Sequence, residues 1–83
     1  MRFKVKIEVM LKAGHSDPEG ETTARALREL NYSVKSVNVS KVYTVVLEAE
    51  TRVKAESMVD EMCRKLLANP TKDDYKFEIS EAR

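Results

Sequence analysis

The sequence predicts an α+β fold whose elements follow the order β-α-β-β-α-β. Apolar and polar residues alternate near both ends of the chain and in its middle, which is typical of strands with one buried face. Two intervening segments carry apolar residues at helical spacing. No linker or low-complexity tract divides the 83 residues, so we expect a single domain over 1–83.

The first strand and the first helix have separate signals. The strand is predicted from apolar residues at every second position: Phe3, Val5, Ile7, Val9 and Leu11. Ser16 or Asp17 can cap the helix that follows, and Pro18 fits its first turn. Residues at helical spacing come next: Thr23, Ala24, Leu27 and Leu30. Asn31 then suits the left-handed backbone of a helix cap.

The middle of the chain predicts a hairpin. Val37 and Val39 indicate a strand over about Tyr32 to Val39, and a second strand, richer in apolar residues, should run from Val42 to Ala49. Only Ser40 and Lys41 separate these segments, so we expect them to pair. Neither residue is the Gly or Asn that tight hairpin turns favour, which leaves the turn type open.

The longest helix is predicted from about Thr51 to Ala68. One stripe of it is apolar: Ala55, Val59, Met62 and Leu66, flanked by Met58, Cys63 and Leu67. Two ion pairs are expected away from the centre of that stripe: Asp60–Arg64 and Glu61–Lys65. Asn69-Pro70 ends the helix, because a residue before proline is pushed out of the helical region.

A last strand is predicted where Tyr75, Phe77 and Ile79 alternate with polar residues. These elements pack most simply as one four-stranded antiparallel sheet with two helices on one face, a ferredoxin-like arrangement. The other face should be charged apart from a short apolar strip: Met10, Val42 and Val46. A strip of this kind on so small a domain favours self-association.

Composition excludes several classes of partner. Fifteen basic and fourteen acidic residues give a formal charge of +1, whereas a nucleic-acid binder needs an excess of Lys and Arg. No apolar run approaches the ~20 residues of a membrane span, and the first residues lack the apolar stretch of a signal peptide. Cys63 is the single cysteine, so no internal disulfide can form. We expect a reducing cytoplasm, with neither nucleic acid nor membrane as partner.

Reactive residue types are present but isolated. His15 could act as an acid or base near neutral pH, but no nucleophile lies beside it, so an exposed loop residue is the simpler interpretation. Asp73 and Asp74 are adjacent at a strand entrance and therefore point to opposite sides. Cys63 lacks the second thiolate of a metal chaperone, and the two glycines are too far apart for a phosphate-binding loop. The residues predict no catalytic group, metal site or cofactor on this chain.

Two strings of residues are more specific than the periodicity. The first is Leu11-Lys12-Ala13-Gly14, followed by Asp17-Pro18-Glu19-Gly20. The second is Met62-Cys63-Arg64-Lys65-Leu66-Leu67-Ala68-Asn69-Pro70, followed by Asp74-Tyr75. At this spacing they resemble signatures of the PurS family, the small subunit of phosphoribosylformylglycinamidine (FGAM) synthase. The length and the order of elements agree with that family.

The resemblance implies a non-catalytic role in purine biosynthesis. In this enzyme a glutaminase (PurQ-type) subunit releases ammonia from glutamine. A synthetase (PurL-type) subunit, which would hold ATP and magnesium, activates the amide oxygen of formylglycinamide ribonucleotide, and ammonia displaces the phosphate to give the amidine. The PurS-like subunit is expected to form a homodimer or a dimer of dimers, to bring the two enzymes together and to aid ammonia transfer.

The resemblance also suggests residues that contact the partners: Asp17, Pro18, Lys41, Asn69, Pro70, Asp74 and Tyr75. Helix capping and termination are an alternative role for Asp17, Pro18, Asn69 and Pro70. Another function compatible with the fold is a free-standing module that senses a small ligand. An acylphosphatase-like enzyme is disfavoured, because the loop from Ala13 to Ser16 lacks the Arg that would grip a phosphate.

Overall fold

The structure, a computed structural model, describes residues 1–82 and has an α+β fold with two helices and a three-stranded antiparallel sheet. The elements in chain order are β1 (Arg2–Leu11), α1 (Pro18–Glu29), β2 (Lys41–Glu48), α2 (Arg52–Met62), a π-helical turn (Cys63–Leu67) and β3 (Asp73–Ala82). The sheet order is β2-β1-β3, so β1 is the central strand and pairs along both edges.

Burial confirms the alternation predicted for the strands. Phe3, Val5 and Ile7 of β1 are fully buried, and Val5 lies opposite Val45 on one side and Ile79 on the other. Because residues directly opposite each other share a face of the sheet, Val5, Val45 and Ile79 line the same face. Fully buried residues of α2 and the π-helical turn belong to the same core: Ala55, Val59 and Cys63.

The end of α2 differs from the regular helix that the sequence predicts. The turn from Cys63 to Leu67 is π-helical, and the Ala68 N–H donates to the Cys63 carbonyl at 2.9 Å. This wider turn rotates the following side chains away from the positions that a period of 3.6 residues assigns. Leu66, predicted to lie on the apolar stripe, is therefore 82% exposed, while Leu67 is partly buried against the core. The two predicted ion pairs are formed: Asp60–Arg64 at 2.8 Å and Glu61–Lys65 at 2.6 Å.

The fourth strand and the hairpin are not formed within residues 1–82. The segment from Tyr32 to Val39 contains no strand, and β2 begins directly after it at Lys41. The prediction of a four-stranded sheet is thus corrected to three strands. A physical reason lies at the junction, where Ser40 and Lys41 do not favour the positive φ angles of a tight hairpin turn. The outer edge of β2 consequently has no neighbour within residues 1–82.

Residues 12–40 form a projection that we call the arm, which consists of α1 and the segment that follows it. The molecule measures 51 × 29 × 14 Å, and its radius of gyration is 16.4 Å. A compact domain of this length would have a radius of gyration of about 12 Å. No residue of α1 belongs to the core cluster. The predicted packing of both helices on one face of the sheet therefore holds for α2 alone.

Within the arm, α1 lies against the following segment. Gly20 and Ala24, one turn apart on the same face of α1, are its buried residues. At the other end, Asn31 has the predicted left-handed backbone, with a φ of 71°. Arg28 then donates to the carbonyls of Val34 and Lys35, at 2.9 and 2.8 Å. The chain thus folds back along its own helix, and the arm is an ordered unit.

Candidate partner-contact site

Asp17 caps α1 and joins the two halves of the arm. Its Oδ1 accepts a hydrogen bond from the Gly20 N–H at 2.9 Å, and its Oδ2 accepts one from the Val39 N–H at 2.8 Å. These two bonds hold the pKa of Asp17 below its ordinary value, and the bond from Val39 has the larger effect. Pro18 is the first helical residue. Asp17 therefore caps α1, as the sequence predicts. A direct contact of Asp17 or Pro18 with another subunit stays a prediction.

Gly20 permits this closure, and its role does not follow from the helical pattern of the sequence. A Cβ atom at this position would overlap the carbonyl oxygen of Val37 and would lie only 2.8 Å from Asp17 Oδ2. The segment that follows α1 can approach the helix only because this side chain is absent. A glycine three residues after a helix cap is itself a signal, since glycine within a helix costs stability unless close packing requires it.

Lys41 is exposed at the start of β2, opposite Val9, and is not at the tip of a hairpin. Its neighbour Ser40 donates from its hydroxyl to Glu8 Oε2 at 2.8 Å. This bond and a weaker contribution from Lys76 lower the pKa of Glu8. Ser40 therefore joins the end of the arm to Glu8 on the open face of the sheet.

The loop after the π-helical turn is organised around Asn69. Its carbonyl accepts from the N–H groups of Lys72 and Asp73, at 3.2 and 2.8 Å, while its side-chain oxygen accepts from the Thr71 N–H at 2.9 Å. The Asp73 carboxylate returns a bond by accepting from the Asn69 N–H at 2.8 Å. Asn69 and Pro70 are themselves exposed, so this rigid loop is accessible to a partner.

Two further predicted residues begin β3. Asp74 lies 3.4 Å from the Lys12 ammonium group, and the Lys12 N–H donates to the Lys72 carbonyl at 2.8 Å. These contacts join the base of the arm to the loop around Asn69. The predicted contact residues of the two sequence strings are thus brought to one end of the sheet.

Tyr75 links β3 to α2. Its hydroxyl donates to Asp60 Oδ1 at 2.5 Å, while Arg64 donates to Asp60 Oδ2 at 2.8 Å. The pKa of Asp60 is lowered, chiefly by the hydrogen bond from Tyr75 and next by the bond from Arg64. The pKa of Tyr75 is raised, chiefly by its hydrogen bond to Asp60 and next by burial. Burial, followed by the nearby charge of Asp60, raises the pKa of the Cys63 thiol, which makes Cys63 a weak nucleophile.

A cleft of about 370 Å³ collects several predicted residues at this end of the sheet. Four of them line it: Met10, Asp17, Pro18 and Lys41. The cleft is also lined by Leu67, Lys72 and Asp73, so the loop around Asn69 adjoins it. Three of the seven predicted contact residues therefore line this cleft: Asp17, Pro18 and Lys41. Asn69, Pro70, Asp74 and Tyr75 do not line it.

The self-association strip lies elsewhere, on the open face of the sheet. Val42 and Val46 are 57% and 60% exposed and lie opposite the charged residues Glu8 and Lys4. Met10 is only partly exposed and is shared with the cleft. The predicted face assignment is confirmed for both valines, since β1 register places them on the face away from the core.

Chemistry-bearing groups are sparse in the part of the chain that is described. Among residues 1–82, no three His, Cys, Asp or Glu side chains are grouped so that they could hold a metal ion. Neither helix in this range combines the length and the apolar character that a membrane crossing requires. His15 lines a second, open cleft of about 410 Å³ together with Glu8 and Asp17.

The chain matches known proteins over nearly its whole length. Residues 4–81 match the family model for PurS, described as phosphoribosylformylglycinamidine (FGAM) synthase. The PurS subunit of this synthase from Archaeoglobus fulgidus is 47% identical over 70 residues, which cover 83% of this chain and 88% of that protein.

Two solved structures have the same backbone. Thermus thermophilus PurS is 33% identical and matches with a TM-score of 0.88 over 100% of both chains, so its counterpart of the arm has a similar placement. A chain in the structure of PurLQS from Thermotoga maritima is 34% identical and also matches with a TM-score of 0.88, over 96% of this chain and 99% of that one. The chain therefore belongs to the PurS family of FGAM synthase subunits.

Proposed function

We infer that this chain is the small, non-catalytic subunit of FGAM synthase and that it holds the glutaminase and synthetase subunits together. The observation that carries this proposal is the match to a chain of the Thermotoga maritima PurLQS structure along 96% of this sequence. That assembly is described as PurL, PurQ and PurS together, which supports PurL-type and PurQ-type partners for this chain.

The distribution of side chains supports an assembly role. Binding sites for small molecules usually contain a few buried polar groups that fix the ligand. No polar or charged residue within 1–82 is buried, and the clefts are open to solvent. Large apolar side chains are instead exposed on the arm, on the sheet and on the π-helical turn, including Leu30, Val46 and Leu66. Exposed apolar groups of this kind are stabilised by protein–protein contacts.

In the proposed complex the chemistry belongs to the partners. The glutaminase releases ammonia, and the synthetase uses ATP with magnesium to activate the amide oxygen that ammonia finally replaces. This chain holds neither ATP nor magnesium; it keeps the two enzymes adjacent and so supports ammonia transfer. We place it in the cytoplasm, where its lone cysteine would stay reduced, and expect it to self-associate as a dimer or a dimer of dimers.

Reconstitution tests the proposal. The synthetase and glutaminase are mixed with and without this chain, and amidine formation from glutamine is measured. We expect the chain to raise the rate with glutamine and to leave the rate with free ammonia nearly unchanged, because the synthetase site itself is complete. Equal rates from glutamine in both mixtures would refute the assembly role.

Calorimetry with amino acids and nucleotides addresses the sensing alternative. An assembly subunit should show no tight binding, whereas a heat of binding that saturates at one ligand per chain would favour a sensor.

A further inference from the structure

The π-helical turn from Cys63 to Leu67 directs one leucine into solvent. Leu66 is 82% exposed, the highest value among the large apolar side chains within residues 1–82. A regular helical period would place it on the apolar stripe of α2, beside the core. Turns of the π type are rare and occur frequently at functional sites. The fold gains little burial from Leu66, so a contact outside the chain would account for its position.

The surroundings of this leucine are cationic. Between Glu61 and Asp73 the sequence contains no acidic residue and three cations, all of them exposed: Arg64, Lys65 and Lys72. The helix dipole favours cations near the end of a helix, which accounts for the first two. Lys72 lies beyond the helix and forms no ion pair within residues 1–82. An apolar side chain among cations complements a surface whose apolar pocket has an acidic rim.

Hydrogen bonds hold the turn in place at both of its ends. Before the turn, Asp60 accepts from the Tyr75 hydroxyl at 2.5 Å and from Arg64 at 2.8 Å. At its end, the Ala68 N–H donates to the Cys63 carbonyl at 2.9 Å, and the loop that follows is closed by its own hydrogen bonds. A binding surface that is ordered in the free protein loses less entropy on association. The turn is therefore prepared for a contact.

The self-association strip does not account for the exposure of Leu66. Val42 and Val46 of that strip lie on the open face of the sheet, whereas α2 and the π-helical turn cover the core face. The sheet separates the two surfaces, so a contact that covers the strip leaves Leu66 in solvent. The two surfaces are thus suited to two different neighbours.

We propose that the π-helical turn is a docking site for one of the two partner enzymes, with Leu66 as its anchor. The occupant is an apolar pocket of that enzyme, with carboxylates at its rim that face Arg64, Lys65 and Lys72. This docking site rests on the proposed assembly role and specifies one surface that performs it. One protruding side chain fills one pocket, so the second enzyme uses a different surface of the chain.

Leu66→Gln tests the anchor. The substitution replaces an apolar side chain by a polar one and keeps a good helix former. Because Leu66 is exposed, circular dichroism, the urea midpoint and sedimentation should match those of the parent chain. Binding to the isolated synthetase and to the isolated glutaminase is measured separately. Burial of a leucine corresponds to about tenfold in affinity or more, so binding to one of the two enzymes should weaken by at least that factor.

Reconstitution separates docking from a loss of function. Amidine formation from glutamine is measured at increasing concentrations of the chain. Leu66→Gln should require about tenfold more chain for the half-maximal rate but should reach the same maximal rate, because only docking is weakened. Leu66→Met keeps an apolar side chain of similar volume and should bind nearly as well as the parent.

Val53→Gln is the matched control on the same helix. Val53 is 75% exposed, but the cations beside it are paired with Glu50 and Glu56, so its surroundings are neutral. This variant should bind both enzymes like the parent chain.

Lys72→Gln tests the charge of the rim. The Lys72 side chain is exposed, so the fold should persist. Binding to the enzyme that loses affinity for Leu66→Gln should weaken, and it should depend less steeply on salt than in the parent, because one attraction across the interface is removed. Unchanged affinity and salt dependence would overturn the acidic rim.

The outcomes separate this docking site from the assembly role. Parent-like binding of Leu66→Gln to both enzymes would overturn the docking site and leave the assembly role intact. Equal weakening toward both enzymes, or altered sedimentation, would also overturn it, since Leu66 would then act through the fold or through self-association. A parent chain that binds neither enzyme and leaves amidine formation unchanged would refute the assembly role itself.

Discussion

Replacing Gly20 by Ala tests the packing of the arm most sharply, because two known effects oppose each other there. Alanine normally stabilises a helix by about 1 kcal/mol relative to glycine. At this site the new methyl group would overlap the Val37 carbonyl oxygen. The segment must retreat by about 1 Å, and overpacking of this kind costs about 1–3 kcal/mol. We expect a net loss of about 1 kcal/mol in the free energy of unfolding.

The assay is urea denaturation followed by far-UV circular dichroism, at one protein concentration because self-association would alter the midpoint. Amide exchange of Val39 is measured in parallel and should accelerate, since the displaced segment loses its bond to Asp17. Gly14→Ala is the control. Gly14 has a φ of +87°, and no atom lies within 4 Å of a Cβ added there. Alanine at position 14 should therefore strain the backbone locally but leave the Val39 amide protected from exchange. A stabilised Gly20→Ala variant with unchanged exchange at Val39 would refute the reasoning.

Three other substitutions have defined outcomes. Val46→Asp puts a charge on the exposed apolar strip and should weaken self-association about tenfold in sedimentation while leaving the circular dichroism unchanged; an unaltered oligomer would count against this strip. Asp17→Asn removes a carboxyl whose pKa in the folded state is held below its ordinary value by the bonds from the Val39 and Gly20 N–H groups. The stability that this carboxyl contributes is therefore present above the unfolded pKa and lost as pH falls through the folded pKa. Urea midpoints below about pH 4 should therefore fall less steeply in Asp17→Asn than in the parent chain, and parallel curves would contradict the assignment. Tyr75→Phe removes the largest influence on Asp60, whose pKa should rise in a carboxyl carbon NMR titration; an unchanged pKa would show that the bond does not form in solution.

Local patterns predicted the three observed strands, because the alternation of apolar and polar residues along a strand reflects which of its faces is buried. Alternation in β1 and β2 identified the buried face, and the register then confirmed the exposure of Val42 and Val46. The cap at Asp17 and the positive φ of Asn31 were predictable for the same reason, since they depend on one residue and its nearest neighbours along the chain.

The fourth strand could not be decided locally. Val37 and Val39 give this segment the pattern of a strand, but pairing also requires an edge within reach and a turn that leads to it. Ser40 and Lys41 provide no favourable turn, and Asp17 holds the Val39 N–H on the side of the arm. The prediction of a strand from Tyr32 to Val39 is therefore wrong for the described residues, although the apolar alternation is present.

The site was predicted only in part. The family resemblance indicated three residues that the fold brings to one cleft: Asp17, Pro18 and Lys41. Asp60 was assigned to an ion pair alone, because its bond to Tyr75 spans 15 residues and depends on how α2 packs beside β3. Leu66 is exposed because it lies in a π-helical turn. A period of 3.6 residues read from the sequence does not predict such a turn.

The central claim is that this chain acts by holding two enzymes together rather than by turning over substrate. Titration of the chain into fixed amounts of synthetase and glutaminase, with amidine formation from glutamine as the readout, tests it most directly. A structural subunit predicts a rate that rises in proportion to the added chain and levels off at a fixed molar ratio. Full activity at a small fraction of that ratio would mean that the chain acts catalytically, and would contradict the account.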